Sequence, residues 1–198
     1  MVLLAAGTMA LYWPTRHFNS IDLDDPFFLI DTGAPLGLSW LGIKRAMTGL
    51  IVANWHPVTN FSFLVTHQFF GTNPGVEHLV NVFFHAANAA LLFLVLFRFT
   101  GVMWPSVAVT AIFAWHPLRV ESVGWISERK DVLFAFFLLL SLFCYGEYAR
   151  AEAGVFQEPR PLFRFFVDFF HFESHEQSDD GDAAFFTAVA GLLAAATI

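Results

Sequence analysis

The sequence predicts an all-α polytopic membrane helical bundle of about four to five spans, and three observations carry that expectation. Apolar residues make up 57% of the chain and charged residues only 14%, against roughly a quarter charged in soluble domains; the mean hydropathy is +0.59. The chain holds 26 Phe residues, more large apolar side chains than a soluble core of this size can enclose, whereas a lipid-facing surface takes them readily. The apolar residues also gather in runs of helical length, separated by segments rich in Pro, Gly and charge. A net charge of −7 leaves no broad basic surface for a phosphate backbone, so nucleic acid is set aside as a partner and membrane lipids take its place. The single cysteine, Cys144, admits no internal disulfide and reads as a packing residue.

Taken in order, Val2 to Trp13 reads as a clipped first span: it lacks a basic n-region and a cleavage site, so a signal peptide fits poorly. A long first outer loop, Pro14 to Glu77, carries turn signals at Asp25-Pro26, Thr32-Gly33-Ala34-Pro35, His56-Pro57 and Asn73-Pro74-Gly75. Within it, Ser39 to Met47 mixes Trp, aliphatics and two cations, as either an interfacial helix or an ordinary surface helix would. Phe61 to Phe70, about ten residues, suits an interfacial or re-entrant segment better than a span. Leu79 to Phe99 is the clearest span, closed by Arg98 and Thr100-Gly101. Val102 to Trp115 returns, broken by Pro105 and stopped by His116-Pro117. Val132 to Tyr148 follows, with Ser127 as its expected N-cap and Glu128 and Asp131 at the positive end of the helix dipole. Beyond residue 150 the character changes to Phe163–Phe172, acidic Glu173–Asp182 and apolar Ala183–Ile198. Residues 1–150 are therefore expected to be one membrane region and 151–198 a divergent tail with an acidic linker and a candidate last span.

Charge does not decide orientation. Arg16, Lys44, Arg45, Arg119, Arg129 and Lys130 lie on the side of the two charged loops, against Arg98, Arg150, Arg160 and Arg164 on the other, and the first group is interleaved with carboxylates.

Three constellations have chemical meaning. Asp22-Leu23-Asp24-Asp25-Pro26 offers paired acids for general-base work or cation binding, beside the plainer reading of a solvated turn. Pro26 should hold Asp25 extended, so the two neighbouring acids face opposite ways and only one can be catalytic, the other a helper. His78, Asn81, His85 and Asn88 share one face of a helix; such a stripe must turn inward in lipid, either as hydrogen-bonding glue between helices or as a transport path. No metal site is expected, because His78 and His85 are two turns apart, about 10 Å by helical rise, and divalent-metal dependence stays unassigned. The third constellation runs from His116 to Asp131, where Glu121, Trp125 and Glu128 share a face if the segment is helical. There Arg129, Lys130 or His116 could neutralise a phosphate while the aromatic supports a sugar ring or lipid, unless the segment is only a salt-bridged boundary loop. No P-loop, Rossmann fingerprint, HExxH or GxSxG occurs.

In order, Asp24-Asp25-Pro26, Asn54-Trp55-His56-Pro57-Val58-Thr59, Phe69-Phe70-Gly71-Thr72-Asn73-Pro74-Gly75, His78-Leu79-Val80-Asn81 with His85, and His116-Pro117-Leu118-Arg119-Val120-Glu121-Ser122-Val123 leading to Glu128-Arg129-Lys130-Asp131 resemble the N-terminal membrane region of the transmembrane tetratricopeptide-repeat glycosyltransferases. These are GT-C enzymes akin to the protein O-mannosyltransferases. The likeness runs roughly from Tyr12 to Arg150.

The resemblance implies the N-terminal part of a GT-C-like fold. Its donor substrate would be a polyprenyl-phosphate sugar and its acceptor a hydroxyl, Ser or Thr of a protein, on the non-cytoplasmic face of an integral multi-pass membrane protein; no cofactor is implied with certainty. By analogy Asp24 is the base and Asp25 orients it, while Arg129 with Lys130 meets the departing phosphate. His56 stands where many relatives carry Arg, which loosens a phosphate role there. Glu121 and Asp131 match acidic positions of the second outer loop, without assigned roles. Because the pattern stops near Arg150 where the family continues, the chain is expected to be a truncated homologue. A non-catalytic membrane remnant or assembly subunit, or a small transporter using the polar stripe, are the alternatives.

Overall fold

The computed structural model describes residues 1–31 and 37–152, and every regular element among them is helical. Helix α1 (Val2–Tyr12) runs into a 3-10 turn (Trp13–His17); α2 (Asp25–Asp31) and α3 (Trp40–Thr48) are short; then follow α4 (Pro57–Phe70), α5 (Pro74–Thr100), α6 (Met103–Trp115), α7 (Arg119–Gly124), a second 3-10 turn (Ile126–Glu128) and α8 (Arg129–Glu152). The central post is α5, with α1, α6 and α8 packed around it, while α3 lies against α4. The acidic linker and last apolar run expected beyond residue 152 lie outside the described residues, as does the Thr32–Pro35 turn.

Three prolines read as turn signals are helix starts. Pro57 and Pro74 stand at the head of α4 and α5, and Pro26 in the first turn of α2, where the missing N–H costs nothing and the fixed φ suits the helix. Asp25, expected to be extended, is thus the first residue of α2. Asn73 accepts a hydrogen bond from the Gly75 N–H through its side chain at 3.0 Å, so α5 begins five residues before the expected Leu79 and takes Glu77 and His78 into its first turns. At its other end Gly101 adopts φ +71°, the left-handed conformation that closes a helix, with its N–H on the Phe97 carbonyl. The aromatic segment at 61–70 is the later part of α4, a helix of 14 residues.

Each helix around α5 buries a narrow seam: Leu4, Thr8 and Tyr12 on α1, and the small residues Ser106, Thr110 and Ala114 on α6. Gly7 lets the Trp115 ring lie against α1, since a Cβ there would meet it at 3.0 Å, and Trp115 Nε1 donates to Thr8 Oγ1 at 3.2 Å. Outside the seams the surface is apolar: Leu3 is 86% exposed, Trp104 75% and Ile112 65%, a distribution that water would penalise and lipid would not. Among the described residues one helix, α5 at 27 residues, is long and apolar enough to cross a membrane; α6 is apolar but only 13 residues long. By length and composition the described residues thus supply one span candidate beside the four to five expected of the whole chain.

Away from the charged loops, Arg98 near the end of α5 grips Glu147 of α8 through Nε (2.8 Å) and Nη2 (3.1 Å). Arg98, the basic residue that closes this span, is thereby tied to a neighbouring helix.

Candidate active site

The two charged loops meet. Asp25 is fully buried, and its carboxylate accepts two backbone hydrogen bonds, from the Ile21 N–H at 2.9 Å and from the Ser127 N–H at 2.9 Å, joining segments 102 residues apart. Ser127 was expected to cap α8 with its hydroxyl. Instead α8 starts at Arg129, and the cap of the preceding turn comes from Asp25 on another loop. Asp25 is thus a structural anchor, and Asp24 beside it stays partly open to solvent.

Behind this joint lies a buried ion pair. Arg129 is fully enclosed, with Nη2 2.6 Å from Glu77 Oε2 and 2.8 Å from the Glu77 carbonyl, Nε donating to Asn81 Oδ1 at 2.9 Å, and its guanidinium carbon 3.9 Å above the Phe63 ring. Glu77 Oε2 also accepts from Thr66 Oγ1 at 3.0 Å, and Oε1 lies 3.3 Å from His67 Nε2. Such a set is what a charge needs to stay ionised away from water. Arg129, expected to meet a phosphate at the rim, is here turned inward and fully engaged.

The outward cations and acids form a looser layer. Lys130 Nζ pairs with Glu128 Oε1 at 2.9 Å, both side chains partly exposed. His56, almost wholly buried, is held below the ordinary imidazole range by that burial and by the nearby Lys130 ammonium, with Glu128 opposing. Glu121 and Asp131 are exposed, Asp131 accepting from Ser122 Oγ at 3.3 Å. His116 is exposed and makes a local bond, its Nδ1 accepting from the Leu118 N–H at 3.2 Å. Trp125 is extended between α7 and the 3-10 turn, so Glu121, Trp125 and Glu128 do not share one continuous helix.

The polar stripe on α5 is buried throughout: His78, Asn81, His85 and Asn88. Asn81 Nδ2 donates to the Trp125 carbonyl at 2.9 Å, Asn88 Nδ2 to the Val132 carbonyl at 2.8 Å, and His85 Nε2 lies 3.0 Å from the Ala114 carbonyl. Asn81, His85 and Asn88 thus bond to neighbouring segments as polar glue does, while His78 meets the Phe18 ring edge-on at 6.0 Å between centroids. Among the described residues no group of three His, Cys, Asp or Glu could hold a metal ion.

Sequence reasoning missed Glu77, His67 and Thr66. Glu77 was legible: at i−4 from Asn81 and i−11 from Asn88 it lies on the same helical face as the stripe, once Asn73-Pro74 is recognised as the helix start. His67 also lines a groove of about 590 Å³ with Ser20, Pro26, Leu29, Ile30, Gly71 and Thr72, between α2 and the end of α4 and next to the acidic turn.

This chain is similar to the protein O-mannosyl-transferases. It is 37% identical over 92 residues to Protein O-mannosyl-transferase TMTC2 of Mus musculus, a match covering 46% of this chain and 11% of that protein. It is 30% identical over 103 residues to Tmtc2 of Drosophila melanogaster, covering 51% and 11%, and 25% identical over 114 residues to TMTC3 of Homo sapiens, covering 58% and 12%. The matched segment thus spans about a ninth of the relatives' length. No family model and no solved structure matches.

Proposed function

We propose that this chain forms the acceptor-side half of a membrane O-mannosyltransferase site, in which mannose passes from a polyprenyl-phosphate carrier to a Ser or Thr hydroxyl of a protein. The observation that carries the reading is the Asp25–Ser127 bond, which ties the acidic turn to the cationic one. Asp24 takes the proton of the acceptor hydroxyl; the hydroxyl oxygen bonds to the anomeric carbon as the bond to phosphate oxygen breaks, and the lipid phosphate leaves with the electron pair. Its growing charge is met by Lys130, the partly exposed cation of the pair, while Arg129 supports the site from behind through Glu77. The groove beside Pro26, of a size that suits a ligand, receives the acceptor segment. In this reading the loops lie on the non-cytoplasmic face of a multi-pass protein, and α3, with Trp40 80% and Leu41 59% exposed beside Lys44, rests in the headgroup layer.

Three members of the stripe, Asn81, His85 and Asn88, each spend a polar atom on a backbone carbonyl, which favours this reading over a transport path. The test is mannosyl transfer to an acceptor peptide in lipid, with the chain alone or joined to the remaining segments of a relative. Asp24→Asn should lower transfer at least a hundredfold without shifting thermal unfolding; unchanged transfer would remove Asp24 from the chemistry.

A further inference from the structure

We infer that the rim where α1 and α6 end is a docking surface for anionic phospholipid headgroups, gripped by Arg16 and Arg119. It requires only that the bundle sits in a bilayer, and holds whatever the chain transfers.

Two short segments of like chemistry leave these helices. Trp13-Pro14-Thr15-Arg16-His17-Phe18 follows α1, and Trp115-His116-Pro117-Leu118-Arg119-Val120 closes α6 and opens α7; neither holds an acid, and the first acids beyond them are Asp22 and Glu121. They leave the bundle at the same end, because both helices run against α5. Tyr12 meets the His85 ring edge-on at 5.5 Å between centroids, and four residues later the Arg16 carbonyl lies against Gly75 at the head of α5, where a Cβ would collide with it. Helix α6 follows α5 after Gly101 and Val102 and brings its Ala114 carbonyl to 3.0 Å from His85 Nε2.

At this end Arg129 and Lys130 are answered by Glu77 and Glu128. Among the described residues no carboxylate pairs with Arg16 or Arg119. Each lies on an aromatic face instead, the guanidinium carbon 4.7 Å from the ring centroid of Trp13 for Arg16 and 4.7 Å from that of Phe113 for Arg119, and both side chains are exposed. Arg16 Nε donates to His17 Nε2 at 3.0 Å, which leaves its two terminal nitrogens for a ligand. A guanidinium stacked on a ring keeps its N–H edges for phosphate oxygens. The helix dipole does not account for both arginines: Arg16 lies in the last turn of its 3-10 segment, where a cation is favoured, but Arg119 opens α7, where it is not.

The neighbours select the partner. Trp13, Phe18, Trp115 and Leu118 are all exposed around the two cations. An acidic peptide matches the arginines alone, whereas a phospholipid matches both parts of the rim, its phosphate over the arginines and its acyl boundary against the rings and Leu118.

The test reconstitutes the 198-residue chain in phosphatidylcholine vesicles with rising amounts of brominated phosphatidylglycerol or, separately, brominated phosphatidylcholine. Bromine quenches tryptophan, and Trp13 and Trp115 border the rim. The unaltered chain should prefer the anionic lipid by about fivefold for each arginine, and the preference should shrink in high salt. Arg16→Gln with Arg119→Gln should abolish most of it, and the single variants, each expected to lose about fivefold, serve if the pair does not fold. Arg16→Lys with Arg119→Lys, which keeps the charges, should retain it. Equal quenching by both lipids in the unaltered chain, or a preference that persists in the glutamine pair and falls instead with Lys44→Gln on α3, overturns the surface. Asp24→Asn should keep the lipid preference, so that a failed docking surface and a failed catalytic base give different results.

Discussion

Helices α5 and α8 are clasped at both ends by an arginine and a glutamate, and the two clasps differ in everything but their charges. At the loop end, Arg129 and Glu77 are completely enclosed and share Thr66, Asn81, His67 and the Phe63 ring. At the other end, Arg98 and Glu147 meet in a two-pronged contact with side chains 15% and 8% exposed. The second clasp needs only to hold two helices together. The first also fixes where α8 begins, and with it the direction of Lys130, so its cost in desolvation is matched by a role in shaping the site.

The sharpest way to break this comparison is to remove one member of each pair and measure thermal unfolding in detergent. Glu77→Gln leaves Arg129 buried without its counter-charge and should cost about 3–5 kcal/mol, whereas Glu77→Leu with Arg129→Met should recover most of that loss. Arg98→Met should cost less, about 1–2 kcal/mol, because this pair keeps some contact with its surroundings, with Arg98 15% exposed, where Arg129 and Glu77 keep none. Equal losses at the two ends would mean that enclosure makes no difference here.

The smallest effect distinguishes the ends by pH. His56 is held below its ordinary value of 6.5 by burial first and Lys130 second. A histidine with a depressed folded-state value binds fewer protons folded than unfolded. Its contribution is complete above 6.5 and is lost as pH falls through the depressed value. Acidification from 6.5 down through the depressed value should lower the unfolding midpoint slightly more in the unaltered chain than in His56→Gln; identical pH profiles would detach His56 from the Lys130 end of the molecule.

The helices were legible wherever apolar runs met a clear stop, as at Thr100-Gly101 and His116-Pro117. Their starts were not, because Asn73-Pro74 and His56-Pro57 serve equally as turns and as helix heads, and only packing decides between them. The same ambiguity hid Glu77, which looked like the last residue of a loop. The polar stripe was visible from its spacing, and its role as glue needed the carbonyls of Trp125, Val132 and Ala114 to be found opposite. The inward turn of Arg129 had no signal in the sequence, since neighbouring Arg129 and Lys130 differ only in what lies around them in three dimensions.

The carboxylate of Asp25 waits for a backbone amide made 102 residues later. At ribosomal speeds of about 5–20 residues per second, the opening acidic turn exists for roughly 5 to 20 seconds before its anchor is synthesised. During that interval it stays hydrated and loosely shaped, and a nascent chain halted before Ser127 would leave this acid without one of its two backbone donors. The order of manufacture therefore delays the closing of this joint until both loops exist.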